Sequence, residues 1–111
     1  MNLIYISHPY TGNEEQNKEE AMQISADLAK LHPEILFINP LSAMQHTTVA
    51  GLDYEPILKQ CLTLLSKCDG MIMTGDWQNS KGCNAEFQFA KENKMRLWNS
   101  VDEFKFSDQI E

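Results

Sequence analysis

Met71-Ile72-Met73-Thr74-Gly75-Asp76-Trp77-Gln78-Asn79-Ser80-Lys81-Gly82-Cys83-Asn84-Ala85-Glu86-Phe87 passes from an apolar run, through a turn-rich loop, into a helix. The run of three apolar residues behind Asp69-Gly70 reads as a buried strand. Ser80 suits a helix N-cap, because its hydroxyl can accept from a backbone N–H of the first turn. Gly82 lets a ligand approach the backbone there, and unpaired N–H groups with the helix dipole attract an anion. Glu86 follows one to two turns in, among Ala85, Phe87, Phe89 and Ala90. An anion-friendly loop ahead of a half-buried carboxylate suits holding a ribose and attacking it. An ordinary solvent-facing helix glutamate is the other reading of the same residues.

The strand–loop–helix pattern recurs outward from this stretch. Leu3-Ile4-Tyr5-Ile6 reads as a buried strand, followed by the turn-rich Ser7-His8-Pro9-Tyr10-Thr11-Gly12-Asn13. Asn13 with Gln16 resembles a capping box. Ala21, Ile24, Leu28 and Leu31 then recur at helical spacing, which predicts an amphipathic helix over about 13–31, closed by Pro33. Ile35-Leu36-Phe37-Ile38 is a second strand. Residues 41–53 carry no clear period and read as a loop or lid. Pro56 suits a first helical turn, and Ile57, Leu58, Cys61, Leu62, Leu64 and Leu65 give an apolar helix whose leucine face reads as core. The Ser80 helix runs to about Asn93, Arg96-Leu97-Trp98 makes a short fourth strand, and Val101, Phe104 and Phe106 pack as a last helix or strand.

Strands alternating with helices predict an α/β domain over 1–111, with a parallel sheet of about four to five strands covered on both faces. Ligands of such sheets bind beyond the carboxyl ends of the strands. The loops at 7–13 and 74–82 both leave that edge.

Composition narrows the function. Net charge is −7, with no basic cluster, which argues against nucleic-acid polymers and anionic membranes as partners. No apolar run is long enough to span a bilayer, and the first residues lack a signal-peptide pattern, so a cytoplasmic protein is expected. The three cysteines, Cys61, Cys68 and Cys83, lack CxxC spacing and read as reduced thiols, and the histidines His8, His32 and His46 show no metal-ligand spacing.

Tyr5, in a doubly covered strand, needs a partner for its phenol, and Glu86 is a plausible one. A plain core aromatic is the alternative. Asp76 with Trp77 offers a second carboxylate and a stacking surface at the same edge, although a loop aspartate is also ordinary turn chemistry. Asp69 opens its strand at the far end and reads as structural.

Tyr5 in Ile-Tyr-Ile, the glycine-containing loop, Cys68-Asp69-Gly70-Met71-Ile72-Met73, and Ser80-x-Gly82-x-x-x-Glu86 together resemble the nucleoside 2-deoxyribosyltransferase superfamily, which includes 2'-deoxynucleoside 5'-phosphate N-hydrolases. The resemblance covers nearly all of the chain from Leu3 to Trp98. It implies a flavodoxin-like three-layer sandwich, a nucleoside or nucleotide substrate, cleavage of an N-glycosidic bond without metal or cofactor, and a homo-oligomer. On this resemblance Glu86 is the nucleophile and Tyr5 orients it. Ser80 and Gly82 hold a 5'-phosphate, with Lys81 beside them. The first loop, from Ser7 and His8 through Pro9 and Tyr10 to Gly12, flanks sugar and phosphate.

One position departs from the pattern. Family members carry an aspartate eight residues before the Asp69 position, where this chain has Cys61. A thiol has neither the pKa nor the hydrogen-bonding capacity of that acid. Asp76 or Asp53 could take its place. The phosphate loop also lacks an arginine for a bidentate clamp. A non-catalytic nucleotide-binding module that keeps the pocket is the alternative the departure allows. An interaction protein with an acidic surface and aromatic tail is a third.

Overall fold

A computed structural model describes residues 2–105. Four strands, β1 (Asn2–Ser7), β2 (Ile35–Ile38), β3 (Gly70–Met73) and β4 (Arg96–Trp98), form one all-parallel sheet in the order β2-β1-β3-β4. The register sets Tyr5 opposite both Ile38 and Met71, and Ser7 opposite Met73. This is the α/β, flavodoxin-like sandwich expected of the sequence, with four strands among the described residues.

Alternation along each strand divides the core into two layers. Ile4, Ile6, Ile72 and Trp98 face one side, where they meet Leu28 of helix α1 (Glu14–Leu31) and Phe104 of helix α6 (Val101–Lys105). Phe104 is fully buried and sets its ring edge-on to Trp98 at 4.9 Å. Tyr5, Met71 and Met73 face the other side, against Leu65 of helix α4 (Tyr54–Ser66) and Cys83 and Ala90 of helix α5 (Lys81–Glu92). At the amino end of the sheet, Asp69 accepts from the Leu3 N–H at 2.7 Å, so it ties strand to strand.

Several local expectations change. Residues 41–53 are not a plain loop: Pro40–Ala43 forms helix α2 and Gln45–Val49 helix α3. Asn39 caps α2 by accepting from the Leu41 N–H, with Pro40 in the first turn. Helices of four and five residues are too short to print a period. Asn13 precedes α1 but makes no side-chain cap bond, and the Gln16 side chain donates to Glu20 one turn on, so the expected capping box does not form. Leu31, placed on the buried stripe by spacing, is the last residue of α1 and is 57% exposed. The apolar face of α4 is only partly core: Leu65 is buried, whereas Ile57, Leu58 and Cys61 open onto a cleft. Phe106 lies outside the described residues. Among those residues no helix is long and apolar enough to cross a membrane.

Candidate active site

In this strand order β1 connects outward to β2 on one side and β3 to β4 on the other, so the order reverses between β1 and β3. A cleft of about 880 Å³ opens there, at the carboxyl ends of the strands. The loop after β1 and α1 form one wall, α2, α3 and the start of α4 a second, and the N-terminus of α5 a third.

Glu86 lies on its floor, 7% exposed. Ser80 sets where α5 begins, since its hydroxyl accepts from the Cys83 N–H at 3.2 Å. That start turns Glu86, one and a half turns later, toward β1. Both carboxylate oxygens are occupied. The Tyr5 phenol donates to Oε2 at 2.5 Å, and the Ser7 hydroxyl donates to Oε1 at 2.7 Å. Two residues apart on one strand, Tyr5 and Ser7 present their hydroxyls on the same face. Hydrogen bonds to a charged group are worth roughly 1.5–3 kcal/mol each, which offsets part of the cost of burying the charge. Burial pushes the Glu86 carboxyl up, and the Tyr5 and Ser7 hydroxyls pull it back. Burial, then the Glu86 charge, holds the Tyr5 phenol well above its ordinary value, so it stays a donor.

Cys61 joins this group from α4. Burial and then the Glu86 charge push its thiol up to about 11, against a hydrogen bond with Tyr5. The position that the resemblance assigns to an acid therefore does face the nucleophile candidate, and it holds a neutral thiol there.

The first loop divides its residues differently from the expectation. Ser7 is fully buried on Glu86 and is not a cleft-lining residue. Its spacing of two from Tyr5 was the available clue to that role. His8, Pro9 and Tyr10 line the cleft; Gly12 does not. The His8 ring is buried between Thr74, 2.8 Å from Nδ1, and Glu20, 3.1 Å from Nε2. Burial, only partly offset by Glu20, lowers its pKa. Gly75 makes room for the ring: its φ is +63°, and a Cβ there would sit 2.7 Å from His8 Cε1.

Asp76 lines the cleft, with both oxygens accepting from the Asn79 side chain at 2.9 Å. Trp77 does not offer a stacking face to the cleft: it stacks on Phe87 at 4.9 Å and donates to the Asn99 carbonyl. Lys81 and Gly82 line the cleft, as does Ser80. A Cβ on Gly82 would meet nothing within 4 Å. The Lys81 ammonium lies 4.7 Å over the Tyr54 ring. Glu20 and Tyr54 were not singled out by the sequence, since neither belongs to a motif. Among the described residues no group of three acidic, histidine or cysteine side chains could hold a metal ion.

The model of one protein family, a domain of unknown function (DUF4406), matches residues 2–99. No curated protein and no solved structure matches the chain.

Proposed function

The chain belongs to this family of unknown function, and from the cleft at its β1–β3 edge we propose that it cleaves the N-glycosidic bond of a nucleoside or nucleotide through Glu86. The observation that carries the reading is the double hold on Glu86: a floor carboxylate with one oxygen on Tyr5 and the other on Ser7. Such an arrangement fixes a carboxylate in one orientation and offsets part of the cost that burial imposes on its charge.

In the reaction a Glu86 oxygen attacks the anomeric carbon as the carbon–nitrogen bond breaks, and the bonding pair leaves with the base. Water, or a second base, then attacks the same carbon and frees the carboxylate. Tyr5 and Ser7 hold the nucleophile; Ser80, Lys81 and Gly82 at the start of α5 face the sugar's 5' side. The resemblance to nucleoside 2-deoxyribosyltransferases supports the same assignment. It carries with it the expectation of a cytoplasmic homo-oligomer, which exposed Val49, Leu52 and Tyr54 would suit. The test is incubation with a panel of nucleosides and deoxynucleotides. Free base is expected, and lost in Glu86→Gln; no base from any substrate would count against the reading.

Cys61 favours a second reading, a module that binds an intact nucleotide without cleaving it. Recovery of an unchanged, tightly bound nucleotide would support that one instead.

A further inference from the structure

The charges lining the cleft narrow the substrate class, on the premise that the cleft is a glycosidase site. Three carboxylates face it: Glu86 on the floor, Glu20 from α1 and Asp76 from the loop after β3. Among the described residues Lys81 is the one lysine or arginine lining it, with its ammonium 4.7 Å over the Tyr54 ring, so a single full positive charge faces three carboxylates. His8 is buried with its pKa lowered, which leaves the ring neutral at pH 7. The chain's single arginine, Arg96, opens β4 at the opposite end of the sheet. A 5'-phosphate would bring about 1.5 to 2 further negative charges. The N-terminus of α5 offers only about half a positive charge against it.

The same groups are poor proton donors. Both oxygens of Asp76 accept from Asn79, while Glu20 Oε1 lies 3.1 Å from His8 Nε2 and its Oε2 accepts from Gln16, so neither carboxyl has an oxygen without a partner. Cys61 is a thiol pushed up to about 11. A neutral purine or pyrimidine leaves as an anion unless something protonates it. A base that is cationic while attached to the sugar leaves neutral and needs no acid. Tyr10, which lines the cleft, adds a π surface that suits such a cation.

We propose that the cleft takes an unphosphorylated N-glycoside with a cationic leaving base, of the pyridinium or N7-alkylpurinium type. Glu86 forms the bond to the anomeric carbon, and the carbon–nitrogen pair returns to the ring nitrogen and cancels its charge. Water then resolves the ester and gives its proton to solvent. The sum is cationic nucleoside plus water to sugar, neutral base and one proton.

The experiment measures base release from nicotinamide riboside and 7-methylguanosine, from guanosine and 2'-deoxyguanosine, and from the 5'-phosphate of each. Every rate is divided by its uncatalysed rate, because cationic nucleosides hydrolyse faster unaided. The cationic nucleosides are expected to exceed both the neutral nucleosides and their own 5'-phosphates in kcat/KM by about tenfold or more. Glu20→Gln should narrow that gap mainly by raising KM for the cationic substrates. Equal or faster cleavage of neutral or phosphorylated substrates, abolished by Glu86→Gln, would overturn the charge assignment and leave the glycosidase reading standing. No release from any of them would overturn both.

Discussion

The Tyr5 phenol donates to Glu86 Oε2 at 2.5 Å, joining residues 81 positions apart in the chain. Strand β1 supplies the donor and helix α5 the acceptor, and the strand-order reversal brings their ends to one cleft. Everything proposed about chemistry turns on that contact and on Ser7 beside it.

Removing the charge should separate function from stability. Glu86→Gln is expected to lower turnover by at least about 10³-fold while leaving the fold intact. The folded state holds the Glu86 proton more readily than the unfolded chain, since burial raises its pKa. Stability contributed by that proton is therefore present at low pH. It is lost as pH rises from the ordinary carboxylate range through the raised value. The variant escapes the loss, so its Tm should exceed the wild type's at about pH 8 and approach it near about pH 4. A Tm below wild type at the higher pH would show that the ionised carboxylate stabilises the fold.

Tyr5→Phe removes one of the two hydroxyls that pull the Glu86 carboxyl down. The acidic limb of the kcat/KM profile should move to higher pH, with a fall in kcat of about 10²-fold. Ser7→Ala should move the limb the same way. An unmoved limb in both variants would mean that the pH dependence belongs to another group.

His8 acts in the opposite sense on stability. Its folded pKa lies below the ordinary 6.5, so the unfolded chain takes the proton first. Stability from the neutral ring is present above the ordinary value and is lost as pH falls through the lowered one. In His8→Gln the fall in Tm between about pH 7 and pH 5 should be shallower than in the wild type. Gly75→Ala forces a Cβ against the ring at a positive φ. It should cost about 1–3 kcal/mol in chemical denaturation.

The cysteines should be slow to alkylate. With Cys61 and Cys68 each pushed up to about 11 and Cys83 raised by burial, little thiolate exists at neutral pH. Iodoacetamide at about pH 8 should label the folded protein far more slowly than the unfolded one. Cys61 labelled as fast as in the unfolded chain would contradict the environment described for it.

The sheet was legible because Leu3–Ile6, Ile35–Ile38 and Met71–Met73 are uninterrupted apolar runs between turn residues, a pattern doubly covered strands produce. Ser80 and Glu86 were legible as a cap and a carboxylate at fixed spacing on one helix. Helices α2 and α3 were not, because four and five residues are too few for a periodic face, and the cap that starts α2 is the side chain of Asn39. Ser7 read as a loop residue because its partner is 79 positions away. Trp77 read as a ligand surface because nothing local reveals that Phe87 covers it. The half-buried apolar face that α4 turns to the cleft shares its sequence pattern with a core helix, and only the cleft above it distinguishes the two.

Mass spectrometry of the protein, quenched in acid during turnover of a nucleoside that it cleaves, detects the Glu86 ester itself. One sugar is expected as an ester on the peptide that contains Glu86, absent when Glu86→Gln is treated in the same way. Base release undiminished in Glu86→Gln, with no sugar on that peptide in the wild type, would mean that Glu86 is not the nucleophile.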